Sequence, residues 1–300
     1  MNDRSAGKSI VIDFHTHTFP EKIAARTIDA LSRMGHVRAF TDGTPGQLHA
    51  SMIKAGIDLA VLLPVATSPG QVEHINDFAA KINETTKESG QLSFGCIHPD
   101  YENYHQELGR LKAEGFKGIK IHPPYQGIPL DDIRYLRILD RAAQLGLIVL
   151  THAGEDIGFP GVYNCTPLMC RHVIEQIGPF SFVLAHMGGW NNWDEVRQLL
   201  PGTGVYLDTS FATGVLHSTK DRYWDHQDAR MLTKDEFMEM VGLFGADHIL
   251  FGTDSPWDDQ AKMLAYMRSL PLADEERDLI LGKNAERLLG GVLGLSGLPA

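Results

Sequence analysis

The chain is poor in cysteine, has no surplus of positive charge and contains no long apolar run, and each shortage removes a class of protein. Its 300 residues include three cysteines, Cys96, Cys165 and Cys170, in no C-x-x-C spacing. An odd count this low argues against a disulfide framework and fits a reducing cytosol. No apolar stretch reaches the roughly 18 residues of a membrane-spanning helix. The opening MNDRSAGKSIVIDF carries an acid and lacks the apolar core of a signal peptide, so the expected location is cytoplasmic, with no membrane partner. Lys and Arg number 27 against 38 Asp and Glu, giving a net charge of −11 with no basic patch, which argues against nucleic acid. What remains is an ordinary globular composition, 43% hydrophobic and 22% charged, sufficient for one large core.

Short apolar runs recur along the chain with helical patterns between them. They are SIVIDFH from Ser9, DLAVLLPV from Asp58, LSFGCIHP from Leu92, GFKGIKIHP from Gly115, LGLIVLTHAG from Leu145, SFVLAHMGG from Ser181, GVYLDTSF from Gly204 and HILFGTDSPW from His248. The runs are continuously apolar rather than alternating, as strands covered on both faces of a parallel sheet require. Eight such runs at spacings of roughly 20 to 50 residues predict a (β/α)8 barrel of the α/β class. A doubly wound open sheet competes, but no G-x-G-x-x-G or Walker sequence follows the first strand. In LDDIRYLRILDRAAQLG, Ile133, Leu136, Leu139 and Ala143 recur at helical spacing and Gly146 supplies a stop. No linker or repeat interrupts the pattern. The expected organisation is a tail over 1–8, one barrel domain over 9–290 and a Gly-rich tail over 291–300.

His15 and His17 form an H-x-H step on the first predicted strand, so both side chains project to one side and could grip one ion. Alone, the step is close to what chance supplies in a chain with 14 histidines. Its context is more telling. His152 follows LIVLT, His186 follows FVLA and Asp254 follows ILFGT, each at the C-terminal end of a predicted strand, where barrel enzymes keep their sites. Each has an innocent reading as a core histidine or a helix cap, but their shared placement points to one site.

VIDFHTHTFP, GIKIHPP, LTHAG, LAHMGGW, FGTDSPW and the closing ILGKNAERLLG together resemble the amidohydrolase superfamily. The similarity is to the branch containing aminocarboxymuconate-semialdehyde decarboxylase and related metal-dependent hydrolases, and it runs from Ile10 to about Leu289. The resemblance implies that His15, His17, His152 and Asp254 are metal ligands and that His186 is catalytic. It also implies a homodimer. Three imidazoles and a carboxylate suit one Zn²⁺, with Mn²⁺, Fe²⁺ or Co²⁺ as substitutes, and leave a position for water. Asp254 could then move a proton between that water and a leaving group, while His186 polarises a carbonyl.

Lys120 admits three readings: a cation that holds a substrate carboxylate, a strand lysine reaching solvent, or a carbamate bridging two metals. His122 either lines the pocket or sits in a turn before Pro123 and Pro124. Tyr125, Trp190, Trp193 and Trp257 follow strand ends and are candidates for an aromatic wall. Glu155 and Asp156 open a Gly- and Pro-rich segment, EDIGFPGVYNCTPL, expected to set specificity; the two either approach the metal from this loop or, as is commoner for loop acids and is the expectation here, are solvated. Cys165 and Cys170 are expected to be buried thiols, and His98 stands away from the ligands.

The leading expectation is hydrolysis of an amide, ester or lactone of a small, carboxylated substrate. A non-oxidative decarboxylase is the alternative, ranked second because the connection after the first strand lacks the longer insertion of the decarboxylases compared. A metal-stabilised binding protein is a more remote reading, since structural zinc sites are closed and cysteine-rich. Histidine-rich phosphoesterase barrels also begin with H-x-H, but end in D-x-H where this chain has Asp254, Ser255 and Pro256.

Overall fold

The computed structural model describes residues 9–226 and 230–291. The expected tail at 1–8, and residues 292–300 of the expected closing tail, lie outside the described residues.

Among the described residues nine short parallel strands follow one another around the molecule: β1 (Ile12–Thr16), β2 (Leu59–Leu62), β3 (Gln91–Ser93), β4 (Gly95–Cys96), β5 (Gly118–Ile121), β6 (Ile148–Thr151), β7 (Phe182–Leu184), β8 (Tyr206–Asp208) and β9 (Ile249–Leu250). They form ladders in the order β1-β2-β3 and β4-β5-β6-β7-β8-β9. Only Phe94 separates β3 from β4, and its N–H donates to Leu62 O at 2.9 Å, so the two are halves of one stave. At the other seam Phe14 N–H donates to Phe251 O at 2.7 Å, and Asp254 N–H to His15 O at 2.8 Å. His17 N–H completes it, reaching Ser255 O at 2.6 Å. The eight predicted runs therefore form the eight staves of a TIM barrel.

Two apolar layers explain the unbroken hydrophobicity of the runs. Ile12, Phe14, Val61, Phe94, Leu150, Val183 and Leu250 belong to the cluster inside the barrel. Ile119, Ile121, Val149, Leu184 and Leu207 face outward and join helix residues such as Leu108, Ile138, Val173 and Phe237 in a second layer. Strands with both faces buried have no polar face to alternate. Five of the helices start at side-chain caps: Thr44, Asp132, Thr166, Thr233 and Asp259 each accept from a backbone N–H of the first turn.

The helix expected from Leu130 spans Ile133–Gln144, and Gly146 follows it at φ 62°. Its buried stripe is Tyr135, Ile138, Leu139 and Ala142 rather than the expected set, and Ile133 is 71% exposed. Ile133 is the first helical residue and overhangs the edge of the core, while Tyr135 is drawn inward because its hydroxyl donates to buried Gln126 Oε1 at 2.6 Å. The closing helical segment is Asp274–Asp278, a wide π-turn over Leu279–Lys283, and Asn284–Leu289. Among the described residues no helix is long and apolar enough to cross a membrane.

Candidate active site

The C-terminal ends of the staves deliver the polar residues to one mouth. His15 lies on β1 with His17 just beyond it, Lys120 on β5 with His122 following, and His152 immediately after β6. His186 follows β7, Asp208 closes β8, and Asp254 lies just beyond β9. β1 does not run straight to this point. Its register with β2 shifts between Asp13 and Thr16. Phe14 packs in the inner cluster, and His15, the next residue, also reaches across the barrel to Asp208 and Lys120. An irregularity of this kind re-aims a side chain near a site.

Three would-be ligand atoms meet here. His15 Nε2 and His17 Nε2 are 3.2 Å apart, and Asp254 Oδ1 is 3.4 Å from the first and 3.1 Å from the second. The fourth expected ligand, His152, is not drawn into this trio; it groups with His122 and Asp156. His186 links the two sets, since its Nε2 lies 3.1 Å from His152 Nδ1 and its ring centroid is 5.4 Å from that of His15.

The far nitrogen of each ring fixes which lone pairs face the centre. His17 Nδ1 donates to Leu63 O at 2.9 Å, His152 Nε2 to Glu155 O at 3.1 Å and His186 Nδ1 to Ser210 O at 2.9 Å. A carbonyl only accepts, so each of these nitrogens carries a proton. His15 Nδ1 donates to the Asp208 carboxylate at 2.8 Å and lies 2.9 Å from Ser210 Oγ. Burial holds His15 and His152 well below the ordinary imidazole pKa, so both stay neutral. Unprotonated nitrogens of His152 and His186 thus face each other, and the unprotonated Nε2 of His15 faces Nε2 of His17. Opposed lone pairs repel unless a cation joins them. The donor set therefore fits a divalent metal held by His15, His17 and Asp254, with His152 and His186 beside it.

The carboxylates are tuned unequally. Burial pushes Asp254 upward, yet its carboxyl ends below the usual range. Asp156 is raised to about 6 by burial and faces His122 Nε2 at 3.4 Å and His152 Nδ1 at 3.9 Å. The expectation that both loop acids are solvated is thus wrong for Asp156, because the loop folds its side chain into the barrel mouth. Lys120 is 1% exposed, with Nζ 3.5 Å from His15 Nε2, and burial pulls its ammonium down to about 8 against the upward pull of Asp208 and Asp254. The reading of a lysine that reaches solvent is excluded. His186 and Asp254 both take left-handed backbone angles, φ 57° and 61°. Such angles cost about 1–3 kcal/mol each and are retained where geometry demands them.

One cavity of about 410 Å³ contains His15, His17, Lys120, His122, Tyr125, His152, His186, Trp190, Asp254 and Trp257, all expected at the site from the sequence. Trp193 is not on its wall. It is fully buried, and its Nε1–H supports His186 by donating to that residue's carbonyl at 2.9 Å. Gly154 lets this wall close: at φ 85°, any Cβ there would run into the backbone of Trp190. Of the fifth loop, Glu155, Asp156, Ile157 and Gly158 face the cavity. Cys165 and Cys170 are buried free thiols, and His98 is buried outside the cavity. Sequence reasoning missed Asp208 and Ser210, although Asp208 ends a predicted strand in GVYLDTS much as Asp254 does in ILFGTDS.

A closed parallel barrel with imidazoles and a carboxylate converging at its C-terminal mouth defines a metal-binding barrel of the enzyme type. The chain belongs to the amidohydrolase family, whose model matches residues 12–291. No curated protein sequence matches significantly. Among solved structures, the fold is similar to 5-carboxyvanillate decarboxylase from Sphingomonas paucimobilis at 14% identity and TM-score 0.64, covering 94% of this chain and 99% of that one. It is also similar to 2,6-dihydroxybenzoate decarboxylase from Rhizobium, at 16% identity and TM-score 0.65, over 94% and 99% of the two chains. A third, 5-carboxyvanillate decarboxylase from Novosphingobium aromaticivorans with bound manganese and 3-methoxy-4-hydroxy-5-nitrobenzoic acid, matches at 15% identity and TM-score 0.67 over 94% and 97%.

Proposed function

We propose that the protein is a metal-dependent, non-oxidative decarboxylase of an aromatic or otherwise unsaturated carboxylic acid. The observation that carries this reading is Lys120. Asp208 and Asp254 act on this buried ammonium, but among the described residues no carboxylate pairs with it directly, and once His15 Nε2 is committed to a cation it offers Lys120 nothing. A substrate carboxylate supplies the missing partner. Attack on a neutral amide or ester gives a buried cation no such task.

Two further observations support the reading over hydrolysis, reversing the order expected from sequence. The structures sharing this barrel include 5-carboxyvanillate and 2,6-dihydroxybenzoate decarboxylases, beside one named only as an amidohydrolase. The matches also span 97–99% of those chains, so the likeness extends through the whole barrel.

In this reading His15, His17, His152 and Asp254 hold one divalent ion. The nitrogen-rich set suits Zn²⁺ and admits Mn²⁺, the metal bound in one neighbour. The ion, when bound, withdraws charge from an oxygen of the acid. Lys120 orients the carboxylate, and His186 and His122 flank it. As the C–CO2 bond breaks, its electron pair stays on carbon and takes a proton that Asp254 draws from solvent water and passes on, and CO2 departs. Tyr125, Trp190 and Trp257 enclose the ring.

The test is metal-loaded protein incubated with hydroxybenzoates, scoring CO2 separately from hydrolysis of esters and lactones. Asp254→Asn should lower CO2 release by about 10²–10⁴-fold. Hydrolysis without CO2, or full turnover by the variant with its metal retained, overturns the proposal.

A further inference from the structure

The helix Glu21–Gly35 is amphipathic, yet only Ala24 and Gly35 along it are buried. Its apolar residues Ile23, Leu31 and Met34, with Thr27 between them, recur at steps of four and three and so form one stripe. Ile23 and Met34 are 38% and 37% exposed. An apolar stripe on a surface helix ordinarily packs on the core, and this one lines the active-site cavity instead. Facing the same space are half-buried Ile75 and Phe78 from the helix Val72–Asn83.

The stripe is a fixed wall. Phe19 N–H donates to Gly43 O at 2.7 Å just before the helix begins. At its far end Trp224 Nε1–H donates to Gly35 O at 2.8 Å, and Arg38 N–H to His217 O at 2.9 Å. Both walls belong to the cavity that holds Lys120 and the histidines, so one molecule can touch the polar floor and the apolar walls together.

We infer that the substrate is an amphipathic acid. Its carboxylate end lies at Lys120 and the histidines, and an extended alkyl or alkenyl substituent lies between Ile23, Leu31 and Met34 on one side and Ile75 and Phe78 on the other. A bare hydroxybenzoate occupies only the floor. The inference rests on the decarboxylase reading for the head group, but the apolar wall stands by itself.

The experiment is calorimetric titration of metal-loaded protein with 4-alkyl-2-hydroxybenzoates, from the unsubstituted acid to the hexyl compound, with CO2 release followed in parallel. Affinity should rise by about fourfold per methylene until the wall is covered. Leu31→Gln, and separately Phe78→Gln, should flatten that dependence. Equal affinity along the wild-type series overturns the inference and needs no variant to do so; it would leave the stripe to a second copy of the chain. Affinity that climbs with chain length while no member yields CO2 sustains the inference and removes the decarboxylase reading.

Discussion

Replacing Lys120 with methionine keeps most of the side chain's length while removing its ammonium, and the structure assigns the two consequences opposite signs. Burial lowers this lysine from 10.5 to about 8. At about 1.36 kcal/mol per unit, the ionised form costs the folded state on the order of 3 kcal/mol. The folded-state pKa lies below the unfolded one, so the cost is complete below about pH 8 and disappears as pH rises towards 10.5. Metal-free Lys120→Met should therefore be more stable than the parent at pH 7 by up to about 3 kcal/mol, as buried ions replaced by apolar side chains often are. Calorimetry should show an unfolding temperature higher by about 2–6 °C for a chain of this size, with the gap closing above pH 9. In the metal-loaded enzyme the same change strands the substrate carboxylate. Losing one partner of a buried charge pair costs about 2–5 kcal/mol, or roughly 30- to 5,000-fold in kcat/KM. A variant less stable than the parent at pH 7, or one whose kcat/KM for carboxylates is unchanged, refutes the argument.

Asp208→Asn should weaken the hold on His15 Nδ1 and lower metal affinity by about 10- to 100-fold in a chelator competition, with the fold intact by circular dichroism; unchanged affinity would leave Asp208 a mere packing residue. Glu236 closes a capping box on Thr233, and its backbone bond with Thr233 and ion pair with Arg230 hold its carboxyl down from 4.5 to about 2. Its contribution is present above pH 4.5 and lost as pH falls towards 2, so Glu236→Gln should cost about 1 kcal/mol at pH 7 and almost nothing at pH 2, read as denaturant midpoints. A cost independent of pH would assign the effect to packing.

Much of this molecule is legible along the chain. The run LIVLT announces a doubly covered strand, and the residue after it, His152, is placed at the mouth by that fact alone. Asp254 and His186 follow from the same reasoning at later strands. Asp208 was equally available, but one acid ending one strand carries no signal until its partner, His15, is known to stand across the barrel. Asp156 was misjudged because loop acids are usually solvated, and nothing local records that this loop turns inward. Ile133 illustrates the complementary error: helical spacing identifies an apolar stripe, while the hydroxyl of Tyr135 and the reach of the core decide its rotation.

The sequence by itself determined the barrel, the order of its staves and the residues that stand at the strand ends of the mouth, because burial on both strand faces and position at strand ends are properties of local pattern. The tertiary structure alone decided how those residues are used. The shift in β1 turns both Phe14 and His15 inward, and carbonyls distant in sequence set the tautomers of His17 and His186. It also puts Lys120 out of reach of solvent. Each depends on atoms brought together from far along the chain, and a one-dimensional pattern carries no distance between them.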